Sequence, residues 1–347
     1  MTTKKNLQIE FANFVFHMGE RNMLDCFVDF IYPALFNKKF RKYGESTYFF
    51  HNMRILDIEI SGEIQYFVYG RLVKNGLLHQ EQIIENDNLV PVDNVYPNAP
   101  SSIFILSLTN HRLFLIQEHR DAPTFDTLKS TILHFVKDIR NQHINDVYTE
   151  RNMQREERGG NGRKLTKKSL KEQYPEPELE LIPLSSDADL SEFINSMVLI
   201  DSLTLEIVKP NNEGDLTPIF GNMRDIKSEV GSDKCAMTFK KGDKKSLKHE
   251  KVAKYAAAAS KDSNVHYIFS GKDSNNSKYT GTNDQFKLRV PIKEELDTPK
   301  STTMIIYYKF LDLVKDGFLR QPDTGDSKSL SDKISNIINL LKGFGNG

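Results

Sequence analysis

A charged interval near the middle of the chain most constrains how this sequence can fold. Residues 150–173 contain almost no apolar side chains, and a Gly-Gly-Asn-Gly run interrupts them at 159–162. A segment of this kind cannot contribute to a hydrophobic core, so we expect folding units on either side of it. The length of 347 residues also suits two domains of ordinary size. We predict an N-terminal domain at 1–149, a charged linker at 150–178, a second domain at 179–295 and a helical segment at 296–347.

The N-terminal domain combines strand and helix patterns. Apolar periodicity and turn residues predict the following elements: a strand at Leu7–Met18, a helix at Asn22–Phe36, a hairpin of Thr47–Ile60 with Ile64–Lys74, a hairpin of Ser102–Leu108 with Arg112–Gln117, and an amphipathic helix from Phe125 to Ile139. Pro91, Pro97 and Pro100 predict a loop before the second hairpin. These patterns indicate a mixed sheet with helices on one face.

The second domain alternates helices and strands. The predicted helices are Leu190–Val198, Leu216–Glu229 and Ser246–Ser260; the predicted strands are Ser202–Val208, Cys235–Phe239 and a final pair, His266–Phe269 with Phe286–Val290, around a polar loop at Gly271–Asp284. The fold class that follows for the whole chain is α+β: two mixed-sheet domains with helices packed on the sheets, plus a C-terminal helical segment.

The last predicted helix, residues 329–342, carries an apolar stripe. Ile334, Ile337, Ile338 and Leu341 follow the i, i+3, i+4, i+7 spacing of one helix face. We expect this stripe to dock on its own domain. The alternative is a seam for a protein partner or a second copy of the chain.

Composition indicates a cytoplasmic protein without a membrane span. Cys26 and Cys235 lie far apart and give no disulfide framework, which suits a reducing compartment. The N-terminus has no apolar run typical of a secretory signal, and no stretch approaches 18 apolar residues. The 47 Lys and Arg balance the 47 Asp and Glu, so any electrostatic attraction must be regional.

The strongest regional charge lies between the strand ending at Phe239 and the helix predicted to start near Ser246. Eight lysines against two acidic residues occupy Lys234–Lys254. Lysines beside a glycine turn and a helix N-terminus form a site suited to phosphates, and nucleic acid is the natural polyanion. The alternative is a solvated surface without a ligand. The predicted contact residues are Lys240, Lys241, Lys244, Lys245, Lys248 and Lys251.

A second basic run lies in the predicted linker. It contains eight Lys and Arg against four acidic residues, and its arginines can bind phosphates bidentately. Acidic residues without any Lys or Arg follow from Glu172 to Glu192, and their pairing with either basic run would abolish the site. The predicted contact residues of this run are Arg163, Lys164, Lys167 and Lys168.

No motif in the sequence assigns a reaction, a metal or a cofactor. His111 and His119 lie near the second hairpin without a shared ligand face. Asp57, Glu59 and Glu63 lie at period two on the first hairpin, as in some metal-dependent nucleases, but no suitably placed lysine completes the set. Enzyme activity, and with it any catalytic residue, is left open.

The segment from Pro100 to Leu113, Pro-Ser-Ser-Ile-Phe-Ile-Leu-Ser-Leu-Thr-Asn-His-Arg-Leu, followed by Ala122 to Lys129, resembles segments of functionally uncharacterised bacterial proteins from phage-defence neighbourhoods. The resemblance covers about thirty residues within 100–129. It implies an antiviral context and transfers no catalytic residue.

Together these features predict a nucleic-acid-binding sensor or effector subunit in bacterial antiviral defence. The nucleic acid is either DNA or RNA. Binding would track phosphates and be independent of base sequence. Two alternatives stay open: an interaction or oligomerisation module without nucleic acid, and a divergent metal-dependent nuclease.

Overall fold

A computed structural model describes residues 7–159, 164–211, 218–242, 245–262, 264–322 and 327–344. The strands are β1 Gln8–Met18, β2 Arg21–Asn22, β3 Arg41–Tyr43, β4 Ser46–Ile60, β5 Glu63–Glu85, β6 Asn88–Asn98, β7 Ser101–Ser107, β8 Arg112–Gln117, β9 Pro177–Pro183, β10 Leu199–Ile207, β11 Cys235–Lys240, β12 Val265–Lys272, β13 Lys278–Thr282 and β14 Arg289–Pro291. The helices are α1 Tyr32–Phe36, α2 Phe125–Glu157, α3 Lys167–Gln173, α4 Asp187–Ser196, α5 Pro218–Glu229, α6 His249–Asp262, α7 Pro299–Lys315 and α8 Ser327–Phe344; a π-helical turn at Phe27–Ile31 precedes α1.

The larger sheet has the order β14-β1-β8-β7-β5-β4-β3. β9 and β2 also pair with β1, and β6 extends from β5. This sheet, with α1–α3, α7 and α8, is called the first lobe. β1 is apolar on both sides because helices cover both faces of the sheet: Phe14 and Phe16 face the core under α1, α2 and α8, whereas Phe11 faces the core under α7.

Helix α7 covers one face of the first lobe through aromatic contacts. Thr298 caps its start by accepting from the backbone N–H of Ser301. The Tyr307 ring lies 4.9 Å from Phe67 and the Phe310 ring 5.7 Å from Phe114, between centroids. Burial raises the pKa of the Tyr307 hydroxyl to about 12, and that hydroxyl accepts a 3.0 Å hydrogen bond from Asn110.

The apolar stripe of α8 is buried in the first lobe, so it docks on its own chain as expected. Ile334, Ile337, Ile338 and Leu341 join the core beneath the π-helical turn and α2. This stripe is occupied by the chain itself, so residues 329–342 do not offer it to a partner or a second copy.

The second lobe consists of α4–α6 and the smaller sheet, with the strand order β11-β10-β12-β13. Alternation along β10 turns Leu203, Leu205 and Ile207 toward the helices, where Phe220 of α5 and Ala256 of α6 complete a separate core. The helices therefore lie on one face of this sheet.

Polar side chains join the two lobes. Asn13 of β1 donates a 2.8 Å hydrogen bond to Asn264, and the Ser185 and Tyr267 hydroxyls lie 2.7 Å apart. The Asn211 side chain binds the β1 backbone like a short strand, since it accepts from Phe16 N–H at 3.0 Å and donates to the carbonyl of Phe14 at 2.8 Å.

The α+β class is confirmed, and so are both predicted hairpins, as β4–β5 and β7–β8. The prediction of mixed sheets is wrong, because every strand pair of the described residues is antiparallel. The predicted proline loop contains strand β6, whose prolines lie at the edge of the sheet.

The expected pairing of Phe286–Val290 with His266–Phe269 is also wrong. β14 crosses to the first lobe and pairs with β1, with Ile9 opposite Val290, while β12 pairs with β13 inside the predicted polar loop. The interval predicted as a linker contains the last turns of α2, all of α3 and the beginning of β9, which pairs with β1. The exposed polar faces of these helices explain why the interval looks like a linker in the sequence.

Replacement of Phe310 by alanine tests the docking of α7. Phe310 is fully buried, so Phe310→Ala should lower the free energy of unfolding by about 3–5 kcal/mol. Tyr308→Ala, on the exposed side of the same helix, should change it by less than about 0.5 kcal/mol. Urea unfolding followed by circular dichroism measures both, and equal losses in the two variants would contradict the packing described.

Candidate nucleic-acid interface

One face of the second sheet is left uncovered by the helices of its lobe. None of its side chains is buried within the described chain. The register places hydroxyl side chains in two neighbouring rows on this open face. One row contains Thr238, Thr204 and Thr282 together with Ile268, and the other contains Ser202, Ser270 and Thr280 together with Lys240. We call these hydroxyls the hydroxyl ladder.

The hydroxyls of the ladder bind one another across the strands. The Ser202 and Ser270 oxygens are 2.8 Å apart, and those of Thr204 and Thr238 are 3.0 Å apart. One hydroxyl offers one donor and two acceptor positions, so each pair keeps capacity for a further ligand. The ladder is therefore a polar platform for hydrogen bonds to an extended ligand.

Lysines occupy one end of the open face. Lys240 lies opposite Ser202, and Lys272 lies opposite Lys278 on the neighbouring strand pair. Lys241 follows directly, and its backbone N–H donates to the carbonyl of Asp201 at 3.0 Å. Because antiparallel pairing brings the end of β11, the start of β10, the end of β12 and the start of β13 together, lysines distant in sequence share one edge, which we call the basic end.

The connection from β11 to α6 holds further lysines at the basic end. Its Ser246 hydroxyl accepts from the N–H of Ile200 at 2.9 Å, and the His249 ring nitrogen Nε2 lies 2.8 Å from the Met197 carbonyl. Lys245 and Lys248 flank these anchored residues and are exposed. Anchoring next to the start of β10 keeps both ammonium groups near the sheet.

The helix predicted to start near Ser246 starts three residues later. α6 begins at His249, and the N–H groups of Leu247, Lys251 and Val252 are bonded to backbone carbonyls. Lys251 is exposed on the first turn, 3.6 Å from Glu250.

Lys272 and Lys278 also belong to the basic end, although no sequence pattern predicts them there. Both lie where the sequence predicts a polar loop, and the alternation of β13 is too short and polar to be recognised. Lys244, from the predicted cluster, and Arg163, from the second basic run, lie outside the described residues.

The second basic run belongs to the first lobe. Lys164, Lys167 and Lys168 are exposed at the start of α3, where Lys167 donates to Asn145 at 2.7 Å and lies 5.3 Å from the centre of the Tyr148 ring. The structure does not place this run on the open face of the second sheet.

The acidic residues after this run pair elsewhere. Glu176 binds Arg140, and Glu180 binds Lys129 at 2.6 Å and His266 at 3.5 Å. Although burial opposes ionisation, hydrogen bonds from His266 and Lys129 hold the pKa of Glu180 below its ordinary value. Within the described chain, no ion pair joins these carboxylates to Lys164, Lys167 or Lys168.

The open face is electrically polarised. Glu180 contacts His266, whose strand position lies opposite Glu206, at the end of the face that adjoins the first lobe. The lysines lie at the other end. The positive charge of the open face is thus concentrated at the end away from the first lobe.

The residues considered for acid–base or metal chemistry do not converge. Asp57 and Glu59 are exposed on β4, while His111 is buried in the turn between β7 and β8. Among the described residues, no group of three His, Cys, Asp or Glu side chains could hold a metal ion. Burial raises the pKa of Cys26 to about 11, so this thiol stays protonated at neutral pH.

A cleft of about 530 Å³ in the first lobe is lined in part by Glu10, Glu118 and Arg289, which already have partners. Arg289 binds Glu10 at 2.9 Å, and Arg71 binds Glu118 through two hydrogen bonds of 2.9 and 3.0 Å. These pairs hold strands β14 and β5 in position. The cleft does not bring together a nucleophile and a base.

No family model matches the chain, and no curated protein matches it as a relative. Within the described residues, no helix is long and apolar enough to span a membrane.

His17 at the lobe junction predicts a pH dependence of stability. Its Nε2 lies 3.0 Å from the Lys209 carbonyl, and burial, followed by the charge of Lys209, lowers the pKa of the imidazole below 6.5. The unfolded chain therefore binds more protons, so stability present above pH 6.5 is lost as the pH falls.

The fall in melting temperature between pH 7.5 and 5.5 should be smaller in His17→Gln than in the wild type. His134→Gln, at an exposed position on α2, is the matched control and should keep the wild-type fall. Identical pH profiles for wild type and His17→Gln would rule out His17 as a source of the dependence.

Proposed function

We propose that the protein binds nucleic acid across the open face of the second sheet. The observation that carries the proposal is the continuity of the hydroxyl ladder with the basic end on a sheet face that no described helix covers. Hydroxyls and ammonium groups are the common protein ligands of phosphate oxygens. The antiparallel register supports the proposal because it gathers lysines from three strands at one edge.

The chemistry of the face favours contacts to the phosphate backbone. Four strands at about 4.8 Å spacing give a platform roughly 19 Å wide, enough for several successive phosphates. Its outward side chains include no Phe, Tyr or Trp ring for base stacking. Binding should be independent of base sequence and should weaken steeply with salt.

The proposed biological setting is a sensor or effector subunit in the cytoplasm of bacteria defending against phage. Its support is the resemblance over residues 100–129. This segment forms β7, β8 and the start of α2 inside the first lobe, so it adds no contact residue to the open face.

Charge reversal at the basic end tests the interface. Lys240→Glu, Lys272→Glu and Lys278→Glu together should weaken binding to a 20-nucleotide duplex or single strand by about 30-fold or more at 50 mM salt. The slope of log affinity against log salt should become about 2–3 smaller in magnitude, since each neutralised phosphate contributes about 0.9 on duplex DNA. Fluorescence anisotropy across a salt series measures both quantities.

The matched control is Lys300→Glu with Lys315→Glu on α7, where both lysines are exposed and belong to the first lobe. This variant should bind like the wild type. Equal losses in both variants would indicate unspecific attraction, and wild-type protein that does not bind at low salt would overturn the proposal.

Removal of hydroxyls gives a second, independent test. Thr204→Val with Ser270→Ala preserves side-chain size while deleting one hydroxyl from each ladder pair. Affinity should fall about 3- to 10-fold at an unchanged salt slope, because uncharged groups release no counterions. Unchanged affinity would exclude the ladder from the interface and confine binding to the lysines.

A further inference from the structure

A long two-stranded ribbon extends from the edge of the first lobe. β4 pairs with β5 as far as Asn75, and β7 as far as Val73, so from Gly76 onward β5 has β6 as its sole strand neighbour in the described chain. The ribbon Gly76–Asn98, called the arm, runs about 30 Å at the usual strand rise. Asn86 and Asp87 close it with φ of 47° and 59°, as in the hairpin turns that match strand twist.

One face of the arm carries large apolar side chains without any charge. The register puts four cross-strand pairs on it: Leu78 with Tyr96, Gln80 with Asn94, Gln82 with Pro91, and Ile84 with Leu89. Asn94 donates to Gln80 at 3.2 Å in the middle of this face. Leu78, Tyr96, Ile84 and Leu89 are 50%, 49%, 76% and 67% exposed. We call it the apolar face of the arm.

The opposite face of the arm mixes charged and apolar side chains. It carries His79, Glu81 and Glu85 together with the apolar residues Leu77, Ile83, Val90 and Val95. His79 lies 3.7 Å from Glu45 outside the arm. Between Gly76 and Asn98 the chain has four acidic residues and no Lys or Arg. The apolar face is therefore distinguished by its lack of charge, which makes it the side better suited to contact with another apolar surface.

The arm lacks the packing that normally stabilises a hairpin. A single two-stranded ribbon is marginally stable in water, and a third strand or a packed face is usually needed. Addition of a strand along β6 is disfavoured, because Pro91 and Pro97 remove two of its backbone donors. A partner that covers the apolar face would supply the packing that the arm lacks.

The pattern along this face is self-complementary. It runs from an apolar pair through two amide-containing pairs to a second apolar pair. A twofold axis across the middle would put Leu78 and Tyr96 of one copy against Ile84 and Leu89 of the other, with amides meeting in the centre. The face has no charge to repel its own copy and none to attract a charged partner.

We propose that the arm is a dimerisation element whose apolar face packs on the same face of a second copy of the chain. Four pairs spanning about 20 Å by 10 Å cover roughly 200 Å² per copy, about a quarter of a standard interface. The dimer should therefore be reversible, with a dissociation constant on the order of 10 µM.

Sedimentation equilibrium of the full chain between 1 and 100 µM tests the proposal. The wild type should pass from the monomer mass of 39.9 kDa to twice that mass with rising concentration. Ile84→Lys should weaken dimerisation at least tenfold, because it brings an ammonium group onto an apolar partner. Ile64→Lys, the same substitution at an exposed residue of β5 outside the arm, should leave the dissociation constant unchanged.

Hydrogen exchange locates the contact independently of the substitutions. Amides of residues 76–98 should become more protected as the wild-type concentration rises, and those of Ile84→Lys should not. A wild type that stays monomeric at 100 µM, or a dimer that Ile84→Lys leaves intact, would overturn the proposal. Melting temperatures of both variants verify the fold, since neither residue belongs to a core.

Discussion

The pairing of β1 along both of its edges holds the molecule together. On one side Ile9–Asn13 pairs with β8; on the other, β14 pairs with the start of the strand and β9 with Ala12–Met18. Buried backbone groups must be hydrogen-bonded, so a strand in the centre of a core needs neighbours over its full length. One of these neighbours, β14, lies almost three hundred residues from β1 in the sequence.

This arrangement also positions the second lobe. The chain leaves the first lobe after β9 and returns as β14, so both ends of the second lobe are fixed to β1. Asn13, Asn264 and Asn211 then seal the junction with hydrogen bonds. The helices of the second lobe cover one face of its sheet, and the other is left to solvent because no further apolar layer is available.

Charge in this protein is distributed by region rather than in total. The chain is neutral overall, yet the open face has lysines at one end and a carboxylate at the lobe junction, and the arm is acidic. Neutrality favours association of copies, while local polarity directs a polyanion to one place. The proposed binding of nucleic acid and the proposed dimerisation therefore involve separate surfaces of the molecule.

Local patterns were sufficient for much of the fold. Continuous apolar runs separated by turn residues identified β7 and β8, because both faces of these strands are buried. The i, i+3, i+4, i+7 spacing identified α2 and α8, because burial of one helix face imposes this period on the sequence. The lysines at 240–251 were recognised because they lie close together in the sequence. Short polar strands such as β13, and a strand containing prolines such as β6, lack a period strong enough to be found.

The sequence by itself thus determined the α+β class, most of the helices and the run of lysines before α6. Tertiary structure alone decided that β14 returns to β1, that Lys272 and Lys278 join Lys240, and that the apolar face of the arm is exposed. The physical reason is the range of the interactions. Periodicity and capping act over a few residues, whereas strand pairing depends on contacts between segments whose partners are chosen when the whole chain packs.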